Sequence, residues 1–245
     1  MKVTAYKTDK ITSQSHTIFD VLDAALPAVT DGSIVAIAAK IVSLCEGSVA
    51  SMDIPKDDLI RQESQRYLPR TNRYDTSFTI TRNLLVAAAG MDETNADSQY
   101  ILWPKDSQAS ANAIREHLAQ KHDLQHVGVI ITDSTLQPMQ WGTIGRAIAY
   151  SGFQPIKDYI GHPDLFGRII QYHKASLMNG LAAAAATLMG EGDEQTPIAL
   201  IEDLPDITFQ DRNPTEQELA DLLIEPEDDL FWPLMKTAPW EKGLS

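Results

Sequence analysis

The chain has 245 residues, with 34 acidic against 20 basic side chains and a formal net charge of -14. That balance argues against nucleic acid or an anionic membrane as partner, because both demand a basic surface. Its 43% hydrophobic and 22% charged content is that of a soluble globular protein large enough for one large domain or two modest ones.

Met1 to Lys10 lacks the apolar core of a signal peptide, and the longest apolar stretch, Leu181 to Met189, is too short to span a bilayer, so a cytoplasmic protein is expected. The single cysteine, Cys45, excludes an internal disulfide framework and sits in an apolar run as a buried structural thiol.

Val3 to Tyr6 reads as a short strand, and Thr17 to Leu26 as an amphipathic helix with Ile18, Val21, Leu22 and Ala25 on one face. Ser33 to Ser43 is almost continuously apolar and predicts one buried strand, carrying Lys40 near its end. A lysine there needs an anion such as a phosphate, or a path to water. A helix follows from Lys56 to about Tyr67. Arg61, Arg66, Arg70 and Arg73 form a local basic patch, read as a solvated face paired with acids. Thr76 to Thr81 alternates as a half-exposed strand and leads into a buried one, Leu84 to Ala89, which delivers Asp92.

Ser110 to Gln120 is helical, and the spacing of His117, His122 and His126 scatters them too widely for a zinc cluster. Val127 to Thr132 is a buried strand ending at Asp133-Ser134. The glycine-spaced stretch from Gly142 to Gly152 lacks the Gly-Lys-Ser/Thr ending of a phosphate loop. Ala175 to Met189 is an alanine-rich helix whose small residues suit close approach of another backbone, within the chain or in a dimer. Gly190 ends it, and the acidic loop Glu191 to Thr196 leads through Pro197 to a strand, Ile198 to Ile201. Asn213-Pro214 starts a further helix, Glu225 to Asp229 is an acidic solvated run, and Phe231, Trp232, Leu234, Met235 and Trp240 form an apolar terminus expected to pack on the body or on a partner subunit.

Asp92, Asp133 and Glu191 each follow a hydrophobic run and stand beside Gly, Ser, Thr or Asn. Buried elements that end at a polar pocket have that layout, and carboxylate and hydroxyl oxygens suit hard cations such as Mg²⁺ or Mn²⁺ that share their ligands with substrate phosphates. Element-end acids also serve as caps and turn formers. The segments Gly90-Met91-Asp92-Glu93-Thr94-Asn95, Ile131-Thr132-Asp133-Ser134 and Met189-Gly190-Glu191-Gly192-Asp193-Glu194-Gln195-Thr196-Pro197, in that order, resemble the gamma-glutamyl ligases that add L-glutamate to the precursor of the deazaflavin coenzyme F-420. The wording is closest to the branch linked to folate metabolism, and the resemblance runs from about Ser33 to about Asp203.

The mixture of buried and half-exposed strands favours an α+β fold. The resemblance further implies two interleaved α+β domains in an intertwined homodimer, with sub-domains of about 1–85 with 190–245 and about 86–189. It implies amide formation driven by GTP: an acceptor carboxylate becomes an acyl phosphate, which the amine of L-glutamate then attacks. By motif, Asp92 and Asp133 would hold one Mg²⁺ or Mn²⁺, and Ser134 with Glu191 a second. Lys10, Ile11, Thr12, Ala39, Lys40, Asn95, Met189, Gly190, Gly192, Asp193, Glu194, Gln195 and Thr196 would line the nucleotide; no residue is singled out as general base. Lys40-Ile41-Val42-Ser43 matches a family segment whose second lysine is here Leu44, and Asn179 and Gly180 stand where the family usually shows acids. Gly142 to Gly152 and Asp158 to Arg168 also match, the latter offering Asp158 and Arg168 as substrate contacts or an ion pair. Two other readings are a ligase acting on folate or another carboxylate, and a weakened nucleotide- or metal-binding homologue.

Overall fold

The computed structural model describes residues 1–70 and 73–245. At its centre lies a five-stranded sheet in the order β1 (Lys2–Tyr6), β12 (Ile198–Glu202), β2 (Ser33–Ala38), β8 (Val127–Leu136), β9 (Thr143–Ser151). β2 and β8 run parallel and every other neighbouring pair is antiparallel, a mixed α/β architecture of the α+β kind.

Both faces of the sheet are covered, which is why its inner strands read as unbroken apolar runs. Val35 and Ile37 of β2, with Val129 and Ile131 of β8, point to one face, packing with α1 (Ile18–Ala25), α2 (Ala39–Glu46) and α4 (Ser107–His122). Ile34, Ala36 and Ile130 point to the other, against α5 (Leu177–Met189). Helix starts follow local chemistry. Thr17 accepts from the Asp20 N–H while the Asp20 carboxylate accepts from the Thr17 N–H, closing a box at the start of α1. Asp106 and Ser176 cap α4 and α5 more simply, each side chain accepting from the backbone N–H three residues on, Ala109 and Asn179.

The small residues of α5 serve packing inside the chain. A Cβ on Gly145 of β9 would lie 2.5 Å from the carbonyl oxygen of Ala182 and 2.5 Å from the Ala186 Cβ, so only glycine lets the helix come so close. Beside this contact β9 bulges: Ile131 faces Ala149 but Thr132 faces Ala147. The Ala147 N–H donates to Asn179 Oδ1 at 3.0 Å. Replacing Asn179 by alanine leaves that buried donor unpaired, and urea unfolding is expected to show a loss of about 1–2 kcal/mol.

Smaller units flank the sheet. The antiparallel set β13 (Glu241–Lys242), β4 (Arg66–Tyr67), β5 (Phe78–Thr81), β6 (Leu84–Ala87) follows the short helix α3 (Lys56–Glu63), while β3 (Val49–Ser51) pairs with β7 (Gln99–Ile101) and β10 (Ile156–Asp158) with β11 (Lys174–Ser176). Two short helices, α6 (Glu216–Ala220) and α7 (Trp232–Met235), lie near the carboxyl end. The central sheet takes β8 and β9 from within 86–189 and its other three strands from the segments on either side.

Several expectations need correcting. Ser33 to Ser43 is two elements: the strand stops at Ala38 and helix α2 begins at Ala39, so Lys40 stands in the first turn of a helix. A run buried on both sides carries no period to mark that junction. The helix expected to reach Tyr67 ends at Glu63, where the Ser64 hydroxyl turns back to the Ile60 carbonyl at 2.7 Å and Arg66–Tyr67 joins a sheet. Leu84 to Ala89 is a half-exposed hairpin strand ending at Ala87, followed by a tight turn. β8 does not stop at Thr132; it continues to Leu136. Near the carboxyl end the cap is Thr215; of the apolar terminus expected to pack on the body or on a partner subunit, Trp232, Met235 and Trp240 are half-buried while Phe231 and Leu234 are exposed on this chain. No helix among the described residues is long and apolar enough to cross a membrane.

Candidate active site

The strand order decides which loops meet. β2 and β8 run parallel in register, Ala38 opposite Thr132, so their outgoing ends lie side by side. β12 is antiparallel to β2 and starts at the same end, with Ile198 opposite Ile37, and the outgoing end of β1 pairs there too, Tyr6 opposite Ile198. The segments after β1 and β2, the part of β8 from Thr132 to Ser134 at and beyond the end of its pairing with β2, and the loop before β12 therefore open on one cleft, closed on a further side by residues 92–97. It encloses about 600 Å³, within the range of small-molecule sites.

Of the residues singled out from sequence, Lys10, Ile11, Ala39, Lys40, Asp92, Asn95, Asp133, Ser134, Met189, Gly190, Glu191, Gly192, Asp193, Glu194, Gln195 and Thr196 all line this cleft. Thr12 does not: its backbone is engaged with the Ser15 hydroxyl in a local turn. Leu44, at the position of the expected second lysine, forms part of the wall and packs with Ala96 and Ile101.

Asp92 is held by a turn of its own making. Its Oδ1 accepts from the Thr94 N–H at 2.7 Å and from the Thr94 hydroxyl at 2.8 Å, and its Oδ2 faces the Lys40 ammonium at 2.7 Å. Lys40 also donates to the Thr94 carbonyl and hydroxyl. Burial raises the Asp92 pKa, but the hydrogen bonds from Lys40 and Thr94 and the ammonium charge outweigh it and hold the carboxyl below its ordinary value. Asn95 Nδ2 reaches across to the Gly192 carbonyl at 3.0 Å, tying residues 92–97 to the acidic loop. That loop is folded on itself: the Thr196 hydroxyl donates to the Met189 carbonyl at 2.6 Å and the Gly192 N–H to Glu194 Oε2 at 2.8 Å.

Asp133 has the opposite environment. Burial drives its carboxyl up to about 6, with the charges of Asp92 and Glu191 pushing the same way, against a 2.7 Å bond from Trp103 Nε1 and one from the Ser134 backbone. The Ser134 hydroxyl points at both oxygens of Glu191, at 2.7 and 2.8 Å. Arg146 faces Asp133 across the strand pair and donates to the Leu85 carbonyl at 3.2 Å; burial lowers its pKa although Asp133 pulls it upward.

These donors suit a hard divalent cation: they are carboxylate and hydroxyl oxygens, two of the carboxylates raise the pKa of the third, and the buried Thr132 hydroxyl on the cleft wall lacks a partner. Among the described residues no three His, Cys, Asp or Glu side chains form a cage sufficient by themselves. Such a geometry leaves part of the coordination to a ligand such as phosphate. The adjoining start of α2 favours anions, since Ala38 caps it without a side-chain oxygen and Lys40 stands in its first turn.

Sequence inspection missed Trp103, Thr94 and Thr132. Asp92-Glu93-Thr94 is a readable Asx-turn pattern; nothing around Trp103 signals that its N–H meets Asp133. Other candidates lie elsewhere. His117 pairs with Asp23 and His126 with Asp31. Arg70 bridges Asp57 at 2.6 Å and Asp75 at 3.0 Å. Asp158 faces Lys174 instead of Arg168, and neither lines the cleft. Burial pushes the Cys45 thiol up to about 11, that of an unreactive structural group.

The sequence model of the family described as F420-0:Gamma-glutamyl ligase matches residues 56–203. Among curated proteins, the coenzyme F420:L-glutamate ligase of Methanopyrus kandleri is 31% identical over 82% of this chain and 86% of its own length. Enzymes of the same name from Methanocaldococcus jannaschii and Methanothermobacter thermautotrophicus are each 32% identical over 71% of this chain and 76% of theirs.

Proposed function

Because this chain belongs to the F420-0:gamma-glutamyl ligase family, we propose that its cleft joins L-glutamate through an amide bond to a carboxylate of a deazaflavin coenzyme precursor, driven by GTP. The observation that carries this reading is the convergence of Asp92, Asp133, Ser134 and Glu191 with Lys40 and the start of α2 in one cleft.

The start of α2 and Lys40 receive the nucleotide phosphates, and the loop Gly190 to Thr196, latched by Asn95, wraps the nucleotide. Asp92 with Asp133, and Ser134 with Glu191, would each hold a Mg²⁺ or Mn²⁺ ion, which when bound screens phosphate charge and steadies the charge that develops on the transferring oxygens. An oxygen of the acceptor carboxylate attacks the terminal phosphorus and GDP leaves. The amine of glutamate then attacks the acyl carbon, loses a proton, and inorganic phosphate departs. The chain's own contribution is to align these groups and exclude water. Neither Asn179 nor Gly180 lines the cleft, and Asn179 is occupied at the β9 bulge. Those two departures from the family pattern therefore leave its chemistry in place. We also propose a homodimer, supported by the exposure of Leu165, Phe166 and Tyr172 on the arm between β10 and β11.

The test is phosphate release with GTP and Mn²⁺, with and without L-glutamate, against a deazaflavin acceptor and a folate acceptor in parallel, with mass analysis of the product. Glutamate-dependent release and a deazaflavin heavier by one glutamyl group are expected. Release with the folate alone would move the acceptor. Stabilisation by nucleotide without any release would leave a binding protein.

A further inference from the structure

Among Asp92, Asp133 and Glu191, Asp92 is the carboxylate that carries a cation of the protein's own. The Lys40 ammonium lies 2.7 Å from its Oδ2 and is fixed by two further acceptors, the Thr94 carbonyl at 2.9 Å and the Thr94 hydroxyl at 3.1 Å. The other oxygen of Asp92 accepts two bonds from Thr94. Asp133, by contrast, has Arg146 opposite it across the strand pair but not in ion-pair contact, and receives the neutral Trp103 N–H, while Glu191 receives the neutral Ser134 hydroxyl. A divalent ion bound by Asp92 must therefore displace or repel an ammonium already in contact with it.

Resting on the ligase reading above, we infer that Lys40 is a resident counter-ion that keeps the Asp92 cation position closed until nucleotide phosphates draw its ammonium away, so that metal and nucleotide load together. Lys40 stands in the first turn of α2, where anions are favoured, and its flexible stem needs only to swing from a carboxylate to a phosphate. The phosphate offers the ammonium a more highly charged partner and offers the metal the oxygens that the protein does not supply. Because coupling between two ligands is reciprocal, nucleotide strengthens metal binding by the factor by which metal strengthens nucleotide binding.

The inference predicts a gain where a simple phosphate contact predicts none. Mn²⁺ alone, titrated into the full chain and followed by the electron-paramagnetic-resonance signal of the free ion, should bind Lys40→Gln about tenfold more tightly than the parent, while Lys40→Arg, which keeps the charge, should not gain. A non-hydrolysable GTP analogue should bind Lys40→Gln more weakly, and its enhancement of Mn²⁺ binding should shrink. Lys40→Met gives a second neutral side chain should the glutamine variant fail to fold. If both neutral variants bind Mn²⁺ no more tightly while losing nucleotide affinity, Lys40 is a phosphate contact only and the inference falls, with the ligase reading intact. A parent protein that binds neither Mn²⁺ nor the analogue overturns both.

Discussion

Replacing Asp133 by asparagine is expected to cut glutamate ligation by about a hundred- to a thousandfold in kcat while making the metal-free protein more stable at neutral pH. Asparagine preserves shape and still accepts from Trp103 Nε1, which now stands 2.7 Å from Asp133 Oδ2, so the wall of the cleft is retained. Its loss is the negative charge that the proposed chemistry needs. The gain in stability has the same origin. Burial, with the charges of Asp92 and Glu191 beside it, raises the folded-state pKa of Asp133 from 3.8 to about 6. The ionised carboxyl therefore costs the fold free energy that is fully present above about pH 6 and vanishes below the unfolded value near 3.8. At about 1.4 kcal/mol per pH unit, the cost at neutral pH is at most about 3 kcal/mol. Urea unfolding in the presence of a chelator should show the asparagine variant more stable at about pH 7.5 and the two proteins converging towards about pH 4. A parent protein whose stability relative to the variant rises with pH would contradict this account.

Replacing Gly90 by alanine should be the more damaging change to the fold near the site. Gly90 has φ +75°, a conformation that costs an alanine about 1 kcal/mol. The added methyl would also lie 2.2 Å from Trp103 Cε2 and 2.3 Å from its Nε1. The indole cannot retreat freely. Arg82 stacks over it at 5.7 Å, and is itself anchored to the Pro104 carbonyl at 2.8 Å and the Ser107 hydroxyl at 3.0 Å. Overpacking of this kind adds about 1–3 kcal/mol, so a total loss of about 2–4 kcal/mol is expected in urea unfolding, with Trp103 pushed off Asp133. Trp103→Phe separates the two effects. It keeps most of the ring and removes the donor, so it should cost less stability; on the proposed metal reading it should also weaken Mn²⁺ binding in the presence of nucleotide by about tenfold, the scale for losing a group that orients a metal ligand. Equal stability for Gly90→Ala and the parent would remove the case for a tight Trp103 support.

What could be seen in the sequence was governed by whether a local signal existed. Helix α1 announced itself through Thr17, Asp20 and an amphipathic stripe, and the acids near Asp92, Asp133 and Glu191 through their position after apolar runs. The junction at Ala38–Ala39 was invisible because both sides of it are buried, and residues without a solvent face give no period to read. The continuation of β8 past Asp133 was hidden for a different reason: Val127 to Thr132 is buried throughout, and the change to partly exposed Asp133 and exposed Ser134 reads as the end of the strand although it continues to Leu136. Trp103 carries no local signal of its role, because its bond to Asp133 depends on the meeting of two segments 30 residues apart. The family resemblance supplied most of the cleft lining at once, and it misplaced Thr12, whose hydrogen bonds with Ser15 turn it into a local bend.

The pairing of β1 with β12 joins residues far apart in the chain, Lys2 to Glu202 across 200 positions. Contacts so distant form late and slowly, because a large loop has to close before any of them is rewarded. The loop from Gly190 to Pro197 enters β12 directly, so the cleft gains that wall only once the closing strand has docked. A refolding chain should therefore recover helical signal well before the cleft is complete, and ribosome-bound fragments that stop short of β12 will contain Asp92, Asp133 and Glu191 without the wall that closes around them.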